Sequence, residues 1–233
     1  MDEELQPQVR LYAILAREAK FVVVFRRGPS KRVQLLLWHT DSDEFQEGQW
    51  FKGRIYERRS DLSPSDLPGN LKVKPLGGHS GGGEDSPIMD LRLARDGWKQ
   101  IQDGEAIQHG QRHSIWIKFK PPLVYSKRHM QTRGRYELQM HIHGLKQREG
   151  SWYIIEHVVQ DTENGTTVSL GRSEWADWCH SGDLLFASYG RLFRLGFSPR
   201  GVLNELTAAK VVIDLNNRTY REMEAPGEAK RWD

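Results

Sequence analysis

The chain lacks most of the features that would classify it at a glance. It has one cysteine, Cys179, so no intrachain disulfide can staple it, and a lone thiol suits a reducing compartment. Its first ten residues, MDEELQPQVR, are acidic and carry no apolar core of a secretory signal. Its longest apolar runs, Phe21–Phe25 and Leu35–Trp38, are strand-sized and far short of a membrane span. No segment repeats identically. Acid is missing where base is richest: no Asp or Glu lies between Glu105 and Glu137. That stretch holds Arg112, Lys118, Lys120, Lys127, Arg128, Arg133 and Arg135 on a chain of net charge only +3, so the remainder is mildly acidic. These absences predict a cytoplasmic location and no membrane partner.

Aromatics are not lacking. Eight Trp, seven Tyr and eight Phe exclude a disordered chain. A length of 233 residues allows one large domain with a substantial core, and we read 1–233 as a single β-rich domain. Phe21–Phe25 is a continuous β-branched and aromatic run, the pattern of a strand buried on both faces. Arg27-Gly28-Pro29-Ser30 turns it, and Val33–Trp38 returns as its partner. Asp41–Glu44 makes the next turn, and Gly48–Phe51 begins another strand. Tyr136, Leu138, Met140 and Ile142 alternate with polar residues at period 2. Asn164-Gly165 is a type I′ turn signal between Val158-Val159 and Thr167-Val168. Val202–Lys210 predicts one or two helical turns, and Val211–Asp214 with Thr219-Tyr220 a last strand pair.

Trp175–Phe197 carries the strongest local signal. Asp183–Ser188 is short and apolar, Tyr189-Gly190 is a two-residue turn, and Arg191–Phe197 follows at once. In contrast, residues 63–86 are broken by Pro64, Pro68 and Pro75 and contain Gly77–Gly83, which predicts a long loop. Glu84-Asp85 after those glycines would repel a phosphate, so a phosphate-binding loop is not read there.

About a dozen strands with regular turns and little helix predict an all-β, antiparallel fold, as propeller-like blades, a β-sandwich or a barrel. Gly182–Ala187 with Gly190–Leu195 resembles the inner hairpin of a propeller blade. Glu47–Arg59 and Ser173–Phe197 together resemble a family of bacterial β-propeller-like proteins, over about two thirds of the chain. That resemblance implies the fold, with an aromatic-rich segment shortened here at Ser65–Asp90, and transfers no catalytic residue. At ~40–45 residues per blade the length allows about five. The glycine-rich gap favours four, or an incomplete ring.

Three sets of residues could carry chemistry. His141 and His143 lie two apart and share a strand face; if Gln139 lies opposite His157, three imidazoles meet on that face as in a catalytic zinc or iron site. A one-residue change of register would send His157 to the other face. The basic stretch Arg112–Arg135 interleaves Trp116, Phe119 and Tyr125, the combination that suits a polyanion or single-stranded nucleic acid. Trp50, Phe51, Arg54 and Arg58 could form an exposed recognition patch, because Trp and Arg dominate interface hot spots. Asp177, Cys179 and His180 contain the residue types of a thiol nucleophile, but neighbours on a strand face opposite ways. The leading expectation is a non-catalytic binding or scaffold module with a protein partner and no cofactor. A metal-dependent hydrolase or oxygenase using the histidines is the first alternative. A nucleic-acid or polyanion binder is the second.

Overall fold

The computed structural model describes residues 9–28, 32–52, 55, 60–62, 73–75, 93–109, 115–147, 151–198 and 201–223. Its first sheet is an antiparallel meander of β1 (Arg10–Leu15), β2 (Phe21–Arg27), β3 (Arg32–His39) and β4 (Glu44–Lys52), paired in that order. The expected hairpin is β2–β3, with Val23 opposite Leu37. A short pair follows, β5 (Ser60–Leu62) with β6 (Val73–Pro75). The expected loop at 63–86 is therefore interrupted by a strand at 73–75; its other residues lie outside those described.

The central sheet contains β7 (Lys99–Gln102), β8 (Glu105–His109), β9 (Ile115–Arg128), β10 (Tyr136–Gln147), β11 (Ser151–Asp161) and β12 (Thr167–Arg172). Its order is β12-β11-β10-β9-β7, and β8 also pairs with β9. The last sheet is a second meander, β13 (Trp175–Trp178), β14 (Leu184–Ser188), β15 (Arg191–Leu195) and β16 (Lys210–Asp214). Every strand pairing among the described residues is antiparallel, and the fold is all-β as expected.

The Tyr189-Gly190 turn has φ of 49° and 71°, the left-handed pair that a type I′ hairpin needs. Two local readings are corrected. Asn164-Gly165 does not close a two-residue turn: Gly165 N–H reaches back to the Asp161 carbonyl and Asp161 N–H to the Thr166 carbonyl, giving a longer loop with only the glycine left-handed. Val211–Asp214 does not pair with Thr219-Tyr220 but lies in β16 against β15, after a single 3-10 turn at Leu206–Ala208.

Strands β13 and β14 of the last sheet are buried on both faces, and the pleat of β14 divides it between two cores. Leu185 and Ala187 of β14 pack with β1–β3 side chains, including Leu11, Val23 and Trp38. Leu184 and Phe186, one residue out of phase, pack with Leu138, Ile142 and Val159 of the central sheet. Successive side chains on a strand face opposite ways, so a continuous apolar run is what a strand between two sheets requires. Full burial of each such Leu contributes about 1.5–3 kcal/mol relative to exposure.

An arginine ties the first sheet to the last. Arg194 of β15 donates to Asp183 Oδ2 at 2.8 Å, to Asp43 Oδ1 at 2.6 Å and to the Thr40 carbonyl at 2.6 Å, the last two in the β3–β4 turn. Arg26 of β2, 4% exposed, donates to the carbonyls of Leu215, Asn216 and Arg218 and so fastens the segment after β16. Burial lowers the Arg26 pKa from its ordinary value, and nearby Arg218 adds to the effect.

Candidate functional site

The site begins with two strand edges. β1 is an edge of the first sheet and β13 an edge of the last. They run side by side in the same direction, bridged at both ends. Leu11 N–H donates to Glu174 Oε2 at 2.9 Å, and His180 Nε2–H donates to the Arg17 carbonyl at 2.9 Å. Both bridges span 163 residues, so the two strands keep one constant offset.

These bonds also reveal which backbone groups face outward. Leu11 N–H and the Arg17 carbonyl point away from β2, whereas Ala16 N–H points into it, to Phe21. Alternation then turns the backbone groups of Ala13 and Leu15 away from β2 as well. On β13, Cys179 N–H bonds inward to the Asp183 carbonyl, so the backbone of Ala176 faces outward.

A cleft of about 830 Å³ opens along these edges. Its walls are Tyr12–Arg17, Glu174–His180, the turn and strand from Leu93 to Ile101, and Ser126–Gln131. Trp98, Trp175 and Trp178 give it flat apolar surfaces, each 7% exposed. Lys127 crosses its wall to Asp177 Oδ1 at 2.6 Å and lies 6.0 Å from the Trp98 ring centre. Asp177 Oδ1 also accepts the Trp178 N–H. His157 is buried beside it, with Nδ1 2.8 Å from Ser173 Oγ. His129 closes one end. Its Nε2–H donates to the Gly182 carbonyl, its Nδ1 accepts the Thr132 N–H, and its ring lies between Trp178 and Phe197. Burial pushes the His129 imidazole below its ordinary pKa, despite the Gly182 carbonyl and nearby Asp183.

The three expected ligands do not converge. The β10–β11 register sets Met140, not Gln139, opposite His157, and pairs His141 with Glu156. That one-residue difference turns His157 into the interior, on the face opposite His141 and His143. His141 and His143 do share a face, with ring centres 6.4 Å apart. There His141 Nε2 meets Gln139 Oε1 at 3.0 Å, and His143 Nε2 lies 3.5 Å from Glu156 Oε2. Burial pushes the His141 imidazole below its ordinary pKa, opposed by Glu156. Among the described residues, no group of three or more His, Cys, Asp or Glu could hold a metal ion.

Three of the six described cations of the basic stretch are held in ion pairs. Lys127 pairs with Asp177, Arg128 with Glu137 at 2.9 Å, and Arg135 with Asp161 at 2.8 Å and Glu163 at 3.1 Å. The Arg135 hydrogen bonds hold the Asp161 carboxyl below its ordinary pKa. Lys118 and Lys120 are exposed on β9, Arg133 is exposed in a turn with φ 53°, and Arg112 lies outside the described residues. Trp50 of the expected recognition patch is half-buried. The indole Nε1 is buried, the ring meets Tyr220 edge-on at 5.7 Å, and Arg26 lies 5.5 Å above it. The cause is the segment after β16, which returns over β4 and pairs Arg218 and Arg221 with Glu47. Phe51 is 38% exposed, while Arg54 and Arg58 lie outside the described residues. Cys179 is buried with Sγ 3.0 Å from Ser181 Oγ, and His180 is engaged with Arg17 instead.

The cleft itself had no local signal. Its parts come from residues near 12, 98, 127, 157 and 177, and the only cue was an Asp, a Cys and a His crowded between two Trp and a glycine turn. No family model, curated protein or solved structure matches the chain.

Proposed function

We propose that the chain is a non-catalytic binding module with a propeller-like arrangement of its sheets, and that its ligand sits in the cleft beside β1 and β13. The observation that carries this reading is the pair of parallel edges joined at a constant offset. Inner strands that run parallel around a common opening are how meandering sheets surround a central channel. The cleft fits the role by size and chemistry. Ligand sites are typically ~300–1,000 Å³, mostly apolar and aromatic, with a few polar groups at set positions. This one combines three Trp faces with the Lys127–Asp177 pair. The location of the protein in the cytoplasm is part of the same proposal.

The test is site-specific photo-crosslinking in the native cell. A photoreactive residue replaces Ile101, 52% exposed at the cleft, or Val211, 47% exposed on β16. A discrete adduct from position 101 that position 211 does not form supports the reading. Adducts only from 211, or none from 101, overturn it.

A further inference from the structure

We infer that the face of β2–β4 beneath residues 215–223 is a second binding surface, for an extended segment of a partner protein, and that residues 215–223 lie on it as an internal pseudo-ligand. Register sets the row that forms it. Arg26 on β2 lies opposite Gln34 on β3, and Gln34 opposite Trp50 on β4. Residues directly opposite share a face of the sheet. Arg26 identifies that face, because its guanidinium donates to the carbonyls of Leu215, Asn216 and Arg218. Bonds to main-chain carbonyls hold an extended segment whatever its side chains are. Side-chain choice comes from the neighbours. Glu47 pairs with Arg218 and Arg221, and Tyr220 meets Trp50 edge-on with the Arg32 guanidinium 3.6 Å from its ring centre.

The covering segment leaves this surface unsatisfied. Gln34 is 1% exposed, and its Oε1 has no hydrogen-bond partner among the described residues; the buried Trp50 Nε1–H has none either. Buried polar groups are nearly always paired, and an unpaired one costs more than a typical hydrogen bond contributes. These two are cross-strand neighbours, one an acceptor and the other a donor. A side-chain amide or hydroxyl offers the complement of both, an N–H or O–H for Gln34 and an oxygen for Trp50. The segment is also held at its rim alone beyond Arg218. It belongs to no strand, Thr219–Glu222 are exposed, and an exposed ion pair such as Arg221–Glu47 contributes little. The occupant that fits better is an extended segment with a basic residue for Glu47, an aromatic residue for Trp50 and Arg32, and an Asn, Gln, Ser or Thr beside them.

The experiment uses the full chain and labelled synthetic peptides of residues 215–223, in which each position in turn is replaced by Asn, Gln, Ser or Thr. Affinities are read by fluorescence anisotropy. The proteins are the wild type, a loosened variant carrying Tyr220→Ala and Arg221→Glu at two exposed positions, and that variant with Gln34→Met added. The parent peptide should bind the loosened variant about tenfold more tightly than the wild type, whose own segment competes at high effective concentration. At least one replacement should bind a further three- to tenfold tighter, roughly the worth of one recovered hydrogen bond, and should lose that gain with Gln34→Met. Gln34→Met alone removes the unpaired acceptor at similar volume and should raise the melting temperature by about 2–4 °C. A melting temperature below wild type means that Oε1 is already paired through a buried water, and overturns the inference. Equal affinity for wild type and loosened variant, no binding to the loosened variant, or no gain that depends on Gln34 overturns it as well. The cleft stands or falls separately, on the crosslink at position 101.

Discussion

Replacing Arg194 by Met should be among the most costly single changes outside the hydrophobic cores. Its guanidinium serves Asp43, Asp183 and the Thr40 carbonyl at once, joining the first sheet to the last. Removing one partner of a buried ion pair costs about 3–5 kcal/mol, chiefly because the other charge is stranded. Here the side chains are partly exposed, 15% for Arg194, 20% for Asp43 and 26% for Asp183, so water recovers some of that cost. Lys210 also remains 3.1 Å from Asp43. A loss of about 2–3 kcal/mol follows. For a chain of this size that lowers Tm by ~4–12 °C. The outward pair Arg191–Asp214, with side chains 51% and 41% exposed, is the internal control, and Arg191→Met should cost under ~1 kcal/mol. The effect also depends on pH in a set direction. Burial raises the Asp43 carboxyl, but hydrogen bonds from Arg194 and Lys210 outweigh it and leave the pKa below its ordinary value. A depressed folded pKa contributes stability above the unfolded value of ~3.9, and that stability is lost as pH falls through the folded value. The gap between wild type and Arg194→Met should therefore be full at pH 7 and shrink below about pH 4. Calorimetric melting of both variants over that range checks this. Equal shifts for Arg194→Met and Arg191→Met at pH 7 would refute the clasp.

Three further substitutions probe the cleft and the loops of the central sheet. His129 is held neutral in the folded state, so its contribution is present above the unfolded pKa of ~6.5 and falls as pH drops toward the lower folded value. The fall in Tm between pH 7 and pH 5 should be smaller in His129→Gln than in the wild type, and an unchanged slope would sink the assignment. Gly104→Ala places a methyl 2.3 Å from the Pro121 carbonyl oxygen, a backbone atom that cannot swing aside, and should cost about 2 kcal/mol or more. Gly165→Ala meets no atom within 4 Å and should cost only the ~1–2 kcal/mol of its positive φ, so urea midpoints for the pair separate the two causes.

Strands and tight turns were legible because their signals are local. The Phe21–Phe25 run, the Tyr189-Gly190 turn and the alternation in Tyr136–Ile142 each correspond to the element they predict. Readings failed where a neighbour distant in sequence set the outcome. Asn164-Gly165 looked like a two-residue turn, but the β11–β12 register, with Gln160 opposite Thr167, leaves a longer loop to close. The packing of Tyr220 and Arg26 on Trp50 likewise has no local signal. His157 looked eligible to join His141 until a single step of register turned it inward.

Side-chain alternation, turn chemistry and the double-sided apolar run of β14 follow from the order of residues alone, because each depends on neighbours within a few positions. They determined an antiparallel all-β chain with a strand buried on both faces. Which sheet covers which, and which face each histidine joins, was decided only by tertiary structure. The bridges from Leu11 to Glu174 and from Arg17 to His180 each join groups 163 residues apart. Lys127 and Asp177 meet across 50. No periodicity in a sequence encodes such pairings. They arise when burial of two cores brings the edges of separate sheets side by side, leaving between them the cleft on which the proposed function rests.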